Sequence, residues 1–439
     1  MKSEEKKNSP AYPGLFQPIK VGKLDVKNRI GMAPMCTNQA TKTGHVTEQM
    51  KAWFAARAKG GFGLIWSTAV PVFPPPEGEV TFQNPCLYNI GHCEGWAEMA
   101  ETVHSFGSKY VIQLIPGYGR QIFDPLPKNL PSYMGAPSPI PYVVDRSMLP
   151  EKGLKAHGKR DILWGPWEMP DGSPKKGPIV PEMTIDDILF IEDCMADAVI
   201  LAKKCNIDAV EIHMCHGYLT HGFLSPRSNK RTDKYGGDLD NRARFARELM
   251  EKARKAVGPD YTIGFRMSGD ECMPGGFTHE EMKEVAISLQ ELGADFCDLS
   301  GGSYEAMNAM FPDEDGFMLQ WAESLKKVLD IPVITPSIHR PDVAEKAILD
   351  GKTDMVGLGR QAIADPAWPN KVAAGKKYIK CSRCNIGCQG RVACGLGVRC
   401  TVNSSAGLEQ YNPEFTPQPP FKFNWDWDNQ WLNPDLLRK

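Results

Sequence analysis

Short runs of apolar and β-branched residues alternate along this chain with longer stretches in which apolar positions recur three and four apart. The short runs predict strands at Arg29–Pro34, Gly63–Ser67, Tyr110–Ile115, Ala209–His213, Thr262–Met267, Phe296–Ser300, Val333–Pro336 and Met355–Gly357. The wider spacing predicts helices at Glu48–Lys59, Glu94–Ser105, Thr184–Lys204, Asn241–Ala256, Thr278–Leu292, Gln320–Leu329 and Asp342–Asp350, with Asp365–Ala374 after the last strand. So regular an alternation, eight times over, favours a closed (β/α)8 TIM barrel over an open doubly wound sheet. The barrel is expected over residues 1–376, followed by a distinct C-terminal segment at 377–439. Such barrels do their chemistry at the C-terminal ends of the strands, so the residues just after those ends are where function should be sought.

One connection breaks the pattern. Residues 122–183, after the third strand, are rich in proline, glycine and charge and carry Trp164 and Trp167. Connections beyond about 15 residues without secondary structure are uncommon and often serve as lids. This one should leave from the catalytic face, which predicts a lid insertion; packing on the barrel exterior is the alternative.

Composition removes several function classes. The 439 residues carry a net charge of -2. With no block of like charge, neither nucleic acid nor an anionic membrane surface is an expected partner. The N-terminus is polar and lacks a signal-peptide core, and no apolar run of about 18 residues offers a membrane span. Thirteen cysteines without a secretion signal point to reduced thiols, a metal site and a cytoplasmic location.

Four of those cysteines form a pattern, Cys381-x2-Cys384-x3-Cys388-x11-Cys400. Four thiolates at such spacing suit a [4Fe–4S] cluster. A four-cysteine zinc site is the competitor, although zinc ribbons usually carry two Cys-x2-Cys knuckles and this segment has one. Cys394 lies inside the segment and could replace Cys400. An oxygen-sensitive cluster would fit an anaerobic cytoplasm.

A second constellation closes the fourth strand: His213-Met-Cys-His216-Gly-Tyr218. Two neutral imidazoles aimed at one oxygen stabilise charge developing there. A tyrosine, with an ordinary pKa near 10, stays protonated and can deliver a proton to carbon. The histidines could instead be metal ligands or core residues, though a metal wants a third ligand and none is obvious from the sequence; the motif favours catalysis.

These residues also carry a resemblance. His213-x-x-His216-Gly-Tyr218-Leu219, Phe223-Leu224-Ser225-Pro226, Arg231-Thr-Asp233-Lys-Tyr235-Gly236-Gly237, Asn241-Arg242 and Arg244-Phe245 resemble the signature of Old Yellow Enzyme-type flavin oxidoreductases. Leu24-x-x-Lys27-Asn28-Arg29-Ile30, Ala33-Pro34-Met35-Cys36, Arg57-Ala-Lys-Gly60-Gly61 and Gly357-Leu-Gly359-Arg360…Ala364-Asp365-Pro366 extend the resemblance over about residues 14–409. The cysteine spacing is similar to that of the iron–sulfur branch, which includes 2,4-dienoyl-CoA reductases, bile-acid enone reductases and trimethylamine dehydrogenase.

The resemblance implies FMN on the barrel mouth and a [4Fe–4S] cluster beside it. Ala33, Pro34, Met35, Cys36 and Ala69 would line the isoalloxazine ring, Gln113 would bond its pyrimidine edge, and Arg266 would place a cation near N1 and C2=O. Ser337, Gly359 and Arg360 would hold the phosphate. Gly357-x-Gly359-x-x-Ala362 is not read as a dinucleotide fingerprint, because no βαβ unit follows it. Cys381, Cys384, Cys388 and Cys400 would ligate the cluster. The implied activity is an ene-reductase: His213 and His216 polarise an α,β-unsaturated carbonyl substrate, and Tyr218 protonates its α-carbon. The candidate substrates are enoates, enoyl-thioesters and steroid-like enones.

Departures from the family pattern qualify this. Strand three reads Gln113-Leu-Ile-Pro116-Gly-Tyr118-Gly-Arg120, without the histidine usual there, and the seventh-strand loop Thr335-Pro336-Ser337-Ile338 lacks the usual glycine pair. The dienoyl-CoA reductases lack a His213/His216-type pair. Trimethylamine dehydrogenase carries a covalent flavin bond at the position of Cys36 but a tyrosine at that of His213. Larger relatives continue into nucleotide-binding domains, whereas about 39 residues follow Cys400. The expected electron source is therefore a separate ferredoxin, flavodoxin or flavoprotein subunit, with NAD(P)H the alternative. The Trp-, Pro- and Asn-rich tail is expected to strap across the barrel or a neighbouring subunit of a homo-oligomer. The rival readings are an amine dehydrogenase or N-demethylase, with Trp164 and Trp167 boxing a cation, and a non-catalytic electron-transfer subunit.

Overall fold

A computed structural model describes residues 10–75, 83–121, 126, 129–152 and 173–412. Its centre is a closed barrel of eight parallel strands. We number them β1 (Ile30–Met32), β2 (Leu64–Pro71), β3 (Lys109–Ile115), β4 (Ala209–Met214), β5 (Thr262–Ser268), β6 (Phe296–Ser300), β7 (Val333–Pro336) and β8 (Met355–Gly357). Each pairs with the next, and β8 closes on β1. The strands are buried on both faces because helices cover the outside and side chains fill the interior.

The predicted helices form, and local chemistry starts them. Thr47 accepts a hydrogen bond from Met50 N to cap Glu48–Lys59. Reciprocal capping boxes pair Thr184 with Asp187 and Thr278 with Glu281 at the starts of Ile185–Lys204 and His279–Glu291, satisfying backbone N–H groups that helix starts leave free. An N-terminal hairpin, Ile19–Val21 with Leu24–Val26, plugs the barrel's N-terminal end. Its Val21, Leu24 and Val26 pack on Leu64, Trp66, Val111, Phe296 and Met355. Gly264 in β5 is required there, because a Cβ would lie 2.2 Å from the Phe296 ring.

With that end sealed, the C-terminal mouth is free for a ligand, and strand register sets what lines it. Ala69 on β2 pairs with Gln113 on β3, which pairs with Glu211 on β4. His213 on β4 pairs with Arg266 on β5, which pairs with Asp298 on β6. β2 bulges between Trp66 and Ala69, and the Ser67 hydroxyl there accepts from Gln113 N at 3.0 Å. Bulges re-aim side chains at barrel rims.

The C-terminal segment packs onto the barrel. Val398 N donates to Thr37 O (3.0 Å) and Asn38 Nδ2 to Val392 O (2.9 Å), tying it to the loop after β1. Cys381 N donates to Gln361 Oε1 at 3.0 Å. The described part of the 122–183 insertion includes a short antiparallel pair, Val143–Val144 with Lys175–Lys176; Trp164 and Trp167 lie outside the described residues. Among the described residues no helix is long and apolar enough to cross a membrane.

Candidate active site

The barrel mouth holds a concave cleft, partly open to solvent, the shape expected of a small-molecule site. Pro34, Met35 and Cys36 line it from the loop after β1, and Ala69 and Gln113 from β2 and β3. His213, His216, Tyr218 and Arg266 line it from β4 and β5, and Arg360 and Cys388 from the C-terminal side. Ala33 is buried behind this surface, its N–H donated to Leu358 O. Gly359 lies behind Met35, where a Cβ would stand 3.4 Å from the Met35 Sδ.

A turn after β4 gathers three reactive side chains. His216 takes a left-handed backbone (φ 65), followed by Gly217 at φ 83. That conformation is uncommon for a side chain with a Cβ and is found where surroundings enforce it. Here Ser268 Oγ accepts from His216 N at 3.2 Å, and Tyr304 N donates to His216 O at 3.2 Å. The turn swings the His216 ring to 5.3 Å from His213, centroid to centroid. His216 Nε2 lies 2.6 Å from Ser300 Oγ, and Cys215 Sγ lies 3.4 Å from both His213 Nε2 and His216 Nδ1. Burial, with Arg266 and His221 adding positive charge nearby, pushes His213 down to about 3. Burial, then Arg266 and His213, drives His216 well below its usual range. Both are neutral imidazoles near neutral pH, able to donate to an oxygen without carrying a charge.

Tyr218 stands beside them, its ring 5.1 Å from His213. Its hydroxyl donates to the Tyr304 hydroxyl at 3.0 Å. Burial, then the adjacent Tyr304, holds Tyr218 well above the ordinary phenol range. Burial raises Tyr304 to about 12. Tyr304 also bonds Gln389 in the C-terminal segment. Neither Tyr304 nor Ser300 is marked by the sequence pattern, because their partners stand 86 and 84 residues away. The signal available was their place just after a barrel strand and at its C-terminal end.

The cleft floor suits FMN. Gln113 Nε2 donates to Glu211 Oε1 (2.6 Å), and Trp66 Nε1 donates to Glu211 Oε2 (2.7 Å). This fixes the amide and leaves its carbonyl as an acceptor for an imide N–H. Burial, then Asp298, pushes Glu211 well above the carboxylate range. Arg266 Nε lies 3.1 Å from Asp298 Oδ2; burial opposes its charge, and Asp298, Cys215 and Glu211 together outweigh that. A buried guanidinium at this wall suits the anionic edge of a reduced flavin.

The wall around Arg360, where the sequence leads us to expect a phosphate, carries a second arginine, Arg383. Arg360 Nη2 and Arg383 Nη1 both donate to Pro312 O, at 2.9 and 2.7 Å. Burial, then Arg360, Arg383 and Lys152, keeps the nearby His339 well below its usual range. Arg383 Nη2 is paired with Asp315 Oδ1 at 2.7 Å, so Arg360, bonded to Asn385 Oδ1 and Pro312 O, is the buried guanidinium that suits an anion. Ser337 sits close by in sequence, with φ 64. This explains why glycine is the easy choice in that loop, since only glycine enters the left-handed region without steric cost.

Next to the cleft lie the clustered cysteines. Burial raises Cys381, with Cys400 adding to it, and pushes Cys388 up to about 12, with Cys381 adding to it. Arg399 N donates to Gly387 O at 2.8 Å, bringing the segment that carries Cys400 against the helical turn Ile386–Gly390 that carries Cys388. Cys394 is exposed. Tetrahedral zinc with Zn–S bonds of about 2.3 Å would hold its sulfurs about 3.8 Å apart. Among the described residues, the set of three ligand-type side chains with donor atoms within 4.8 Å of one another is His213, Cys215 and His216, not these cysteines. Cys381, Cys384, Cys388 and Cys400 offer four thiols within one short segment, the donor set that a four-iron cluster takes.

Comparison with known proteins places this architecture. A model of the NADH:flavin oxidoreductase / NADH oxidase family matches residues 14–378. The chain is 39% identical over 415 residues to an NADH oxidase of Thermoanaerobacter brockii, covering 93% of this chain and 58% of that protein. It is 32% identical over 424 residues to a cinnamate reductase of Clostridium sporogenes, covering 91% and 59%. A solved 2-naphthoyl-CoA reductase in complex with 2-naphthoyl-CoA superposes with a TM-score of 0.75 at 28% identity, over 92% of this chain and 58% of that one. The chain thus spans a little over half the length of these relatives.

Proposed function

Because the chain belongs to the NADH:flavin oxidoreductase / NADH oxidase family, we propose that it is an FMN- and [4Fe–4S]-dependent ene-reductase acting on α,β-unsaturated carbonyl compounds. The observation that carries this is a protonated phenol, Tyr218, beside two neutral imidazoles on the wall of one cleft. The names of two relatives, a cinnamate reductase and a 2-naphthoyl-CoA reductase, support a conjugated carbonyl substrate.

In this reading, Gln113 and Arg266 would bind the FMN ring, and Arg360, with Ser337 and Gly359, would hold its phosphate. FMN bound there would supply the hydride. The substrate carbonyl oxygen sits against His213 and His216. Ser300 holds the His216 ring through Nε2, so the rings are oriented before the substrate arrives and charge on that oxygen meets preset dipoles. Tyr218 Oη gives its proton to the α-carbon and recovers one from Tyr304 Oη, which is less deeply buried.

Cys381, Cys384, Cys388 and Cys400 are proposed to hold the cluster, which supplies one-electron transfer. Cys388 lines the substrate cleft, which supports a one-electron donor, such as a ferredoxin, flavodoxin or flavoprotein subunit, over direct reduction by NAD(P)H. Anaerobically purified protein is expected to contain about four irons and four sulfides per chain. Cys384→Ala should abolish that content and Cys394→Ala should preserve it. One zinc per chain and no sulfide would refute the assignment.

The function itself is tested by anaerobic mixing. Flavin reduced in the protein should be reoxidised rapidly by an enoate, enoyl-thioester or enone from a panel. Oxidised flavin bleached by methylated amines, with no enone active, would establish the oxidative reading instead.

A further inference from the structure

We propose that His213, Cys215 and His216 form a site for a thiophilic divalent cation, zinc foremost, whose occupation reversibly closes the substrate cleft. The sequence offered two histidines and no obvious third ligand. The fold supplies it, because the left-handed turn at His216 folds both rings back onto the intervening thiol. Cys215 Sγ is 3.4 Å from His213 Nε2 and 3.4 Å from His216 Nδ1, and the three donor atoms lie within 4.8 Å of one another. With bonds of about 2.3 Å to sulfur and 2.0–2.1 Å to nitrogen, a tetrahedral zinc has S···N edges of about 3.6 Å. Both measured edges match it.

Two further features fit a metal. Ligating histidines usually engage their other ring nitrogen with an outer partner, and His216 Nε2 lies 2.6 Å from Ser300 Oγ. Cys215 is fully buried while both histidines line the cleft, so a bound ion would keep its fourth position toward the substrate space. Three protein ligands with one open position are the arrangement of accessible zinc sites. Sulfur is a weak hydrogen-bond partner. A metal replaces two poor contacts with three bonds, one to sulfur and two to nitrogen, and the Cys215 proton leaves to solvent. The ion would then occupy the imidazoles that the carbonyl oxygen needs, so metal and substrate exclude each other.

The test uses the cluster- and FMN-loaded protein, with zinc uptake measured by equilibrium dialysis while iron content is followed. Wild type should bind one zinc more than Cys215→Ala. In the variant, affinity at this site should fall by more than the roughly 10–100-fold typical of losing only an outer-shell partner. Cys215→Ser, which preserves volume, should behave like Cys215→Ala. Added phenolate should weaken zinc binding to wild type alone. Both variants should retain turnover in metal-free buffer and resist zinc inhibition. Equal zinc uptake by wild type and both variants, at constant iron, would overturn the proposal. The dialysis reads binding without enone turnover, so it stands or falls separately from the ene-reductase reading.

Discussion

Tyr218→Phe should slow reoxidation of the reduced flavin by an enone about 100-fold or more, the usual scale for removing a general acid, while leaving phenolate binding intact. The separation follows from the geometry. A phenolate, standing in for the enolate oxygen, needs the imidazoles of His213 and His216; the Tyr218 hydroxyl is directed instead to Tyr304 at 3.0 Å. Burial and Tyr304 hold Tyr218 well above the ordinary phenol range. A raised pKa keeps the acid protonated as pH rises, so the single-turnover rate should stay flat to at least about pH 10 as far as this group is concerned. Tyr304→Phe should behave differently. It leaves the first proton on Tyr218 and removes the route for replacing it, so single-turnover reoxidation survives while repeated turnover slows. Equal loss in both variants would make the pair one acid. An unchanged rate in Tyr218→Phe would place the proton source elsewhere.

That contrast also marks where the sequence stops being readable. The barrel is legible because each strand is a short apolar run followed by a capped amphipathic helix, and those signals are local. Glu48–Lys59 matches to the residue. β2 runs on to Pro71, past the Ser67 at which its apolar run ends; Ser67 and Thr68 look like a terminus, yet both are fully buried, their hydroxyls bonded to backbone at the bulge. His213, His216 and Tyr218 are visible because chemistry-bearing residues cluster at one strand end. Tyr304, Ser300 and Arg383 are not, since each acts across the barrel mouth on a group far away in sequence. Cys215 was in plain view between the histidines, but only the left-handed backbone of His216 turns that adjacency into a three-ligand arrangement.

The same long-range logic gives a large effect on stability: Glu409→Gln should cost about 3–5 kcal/mol, the usual penalty for leaving one member of a buried ion pair alone. Arg57 is fully buried and Glu409 is 3% exposed, and Arg57 Nη1 lies 2.7 Å from Glu409 Oε1. The guanidinium also stacks on Trp53, 3.4 Å from the ring centroid, and donates to Trp53 O and Ala362 O. It cannot leave for water without dismantling those contacts. Burial works against its charge, and Glu409, then the nearby Cys400 sulfur, support it. An amide at 409 removes the larger of those supports, so the pair pins the end of the cysteine segment to the helix Glu48–Lys59. The thermal midpoint should fall by several degrees, and iron should be lost faster from the variant than from wild type under chelator. Replacing both partners by apolar residues of similar volume should recover most of the stability, because no unpaired charge remains buried. If Glu409→Gln matches wild type in both midpoint and iron retention, the pair does not hold the segment, and its attachment rests on the hydrogen bonds with Thr37, Asn38 and Gln361.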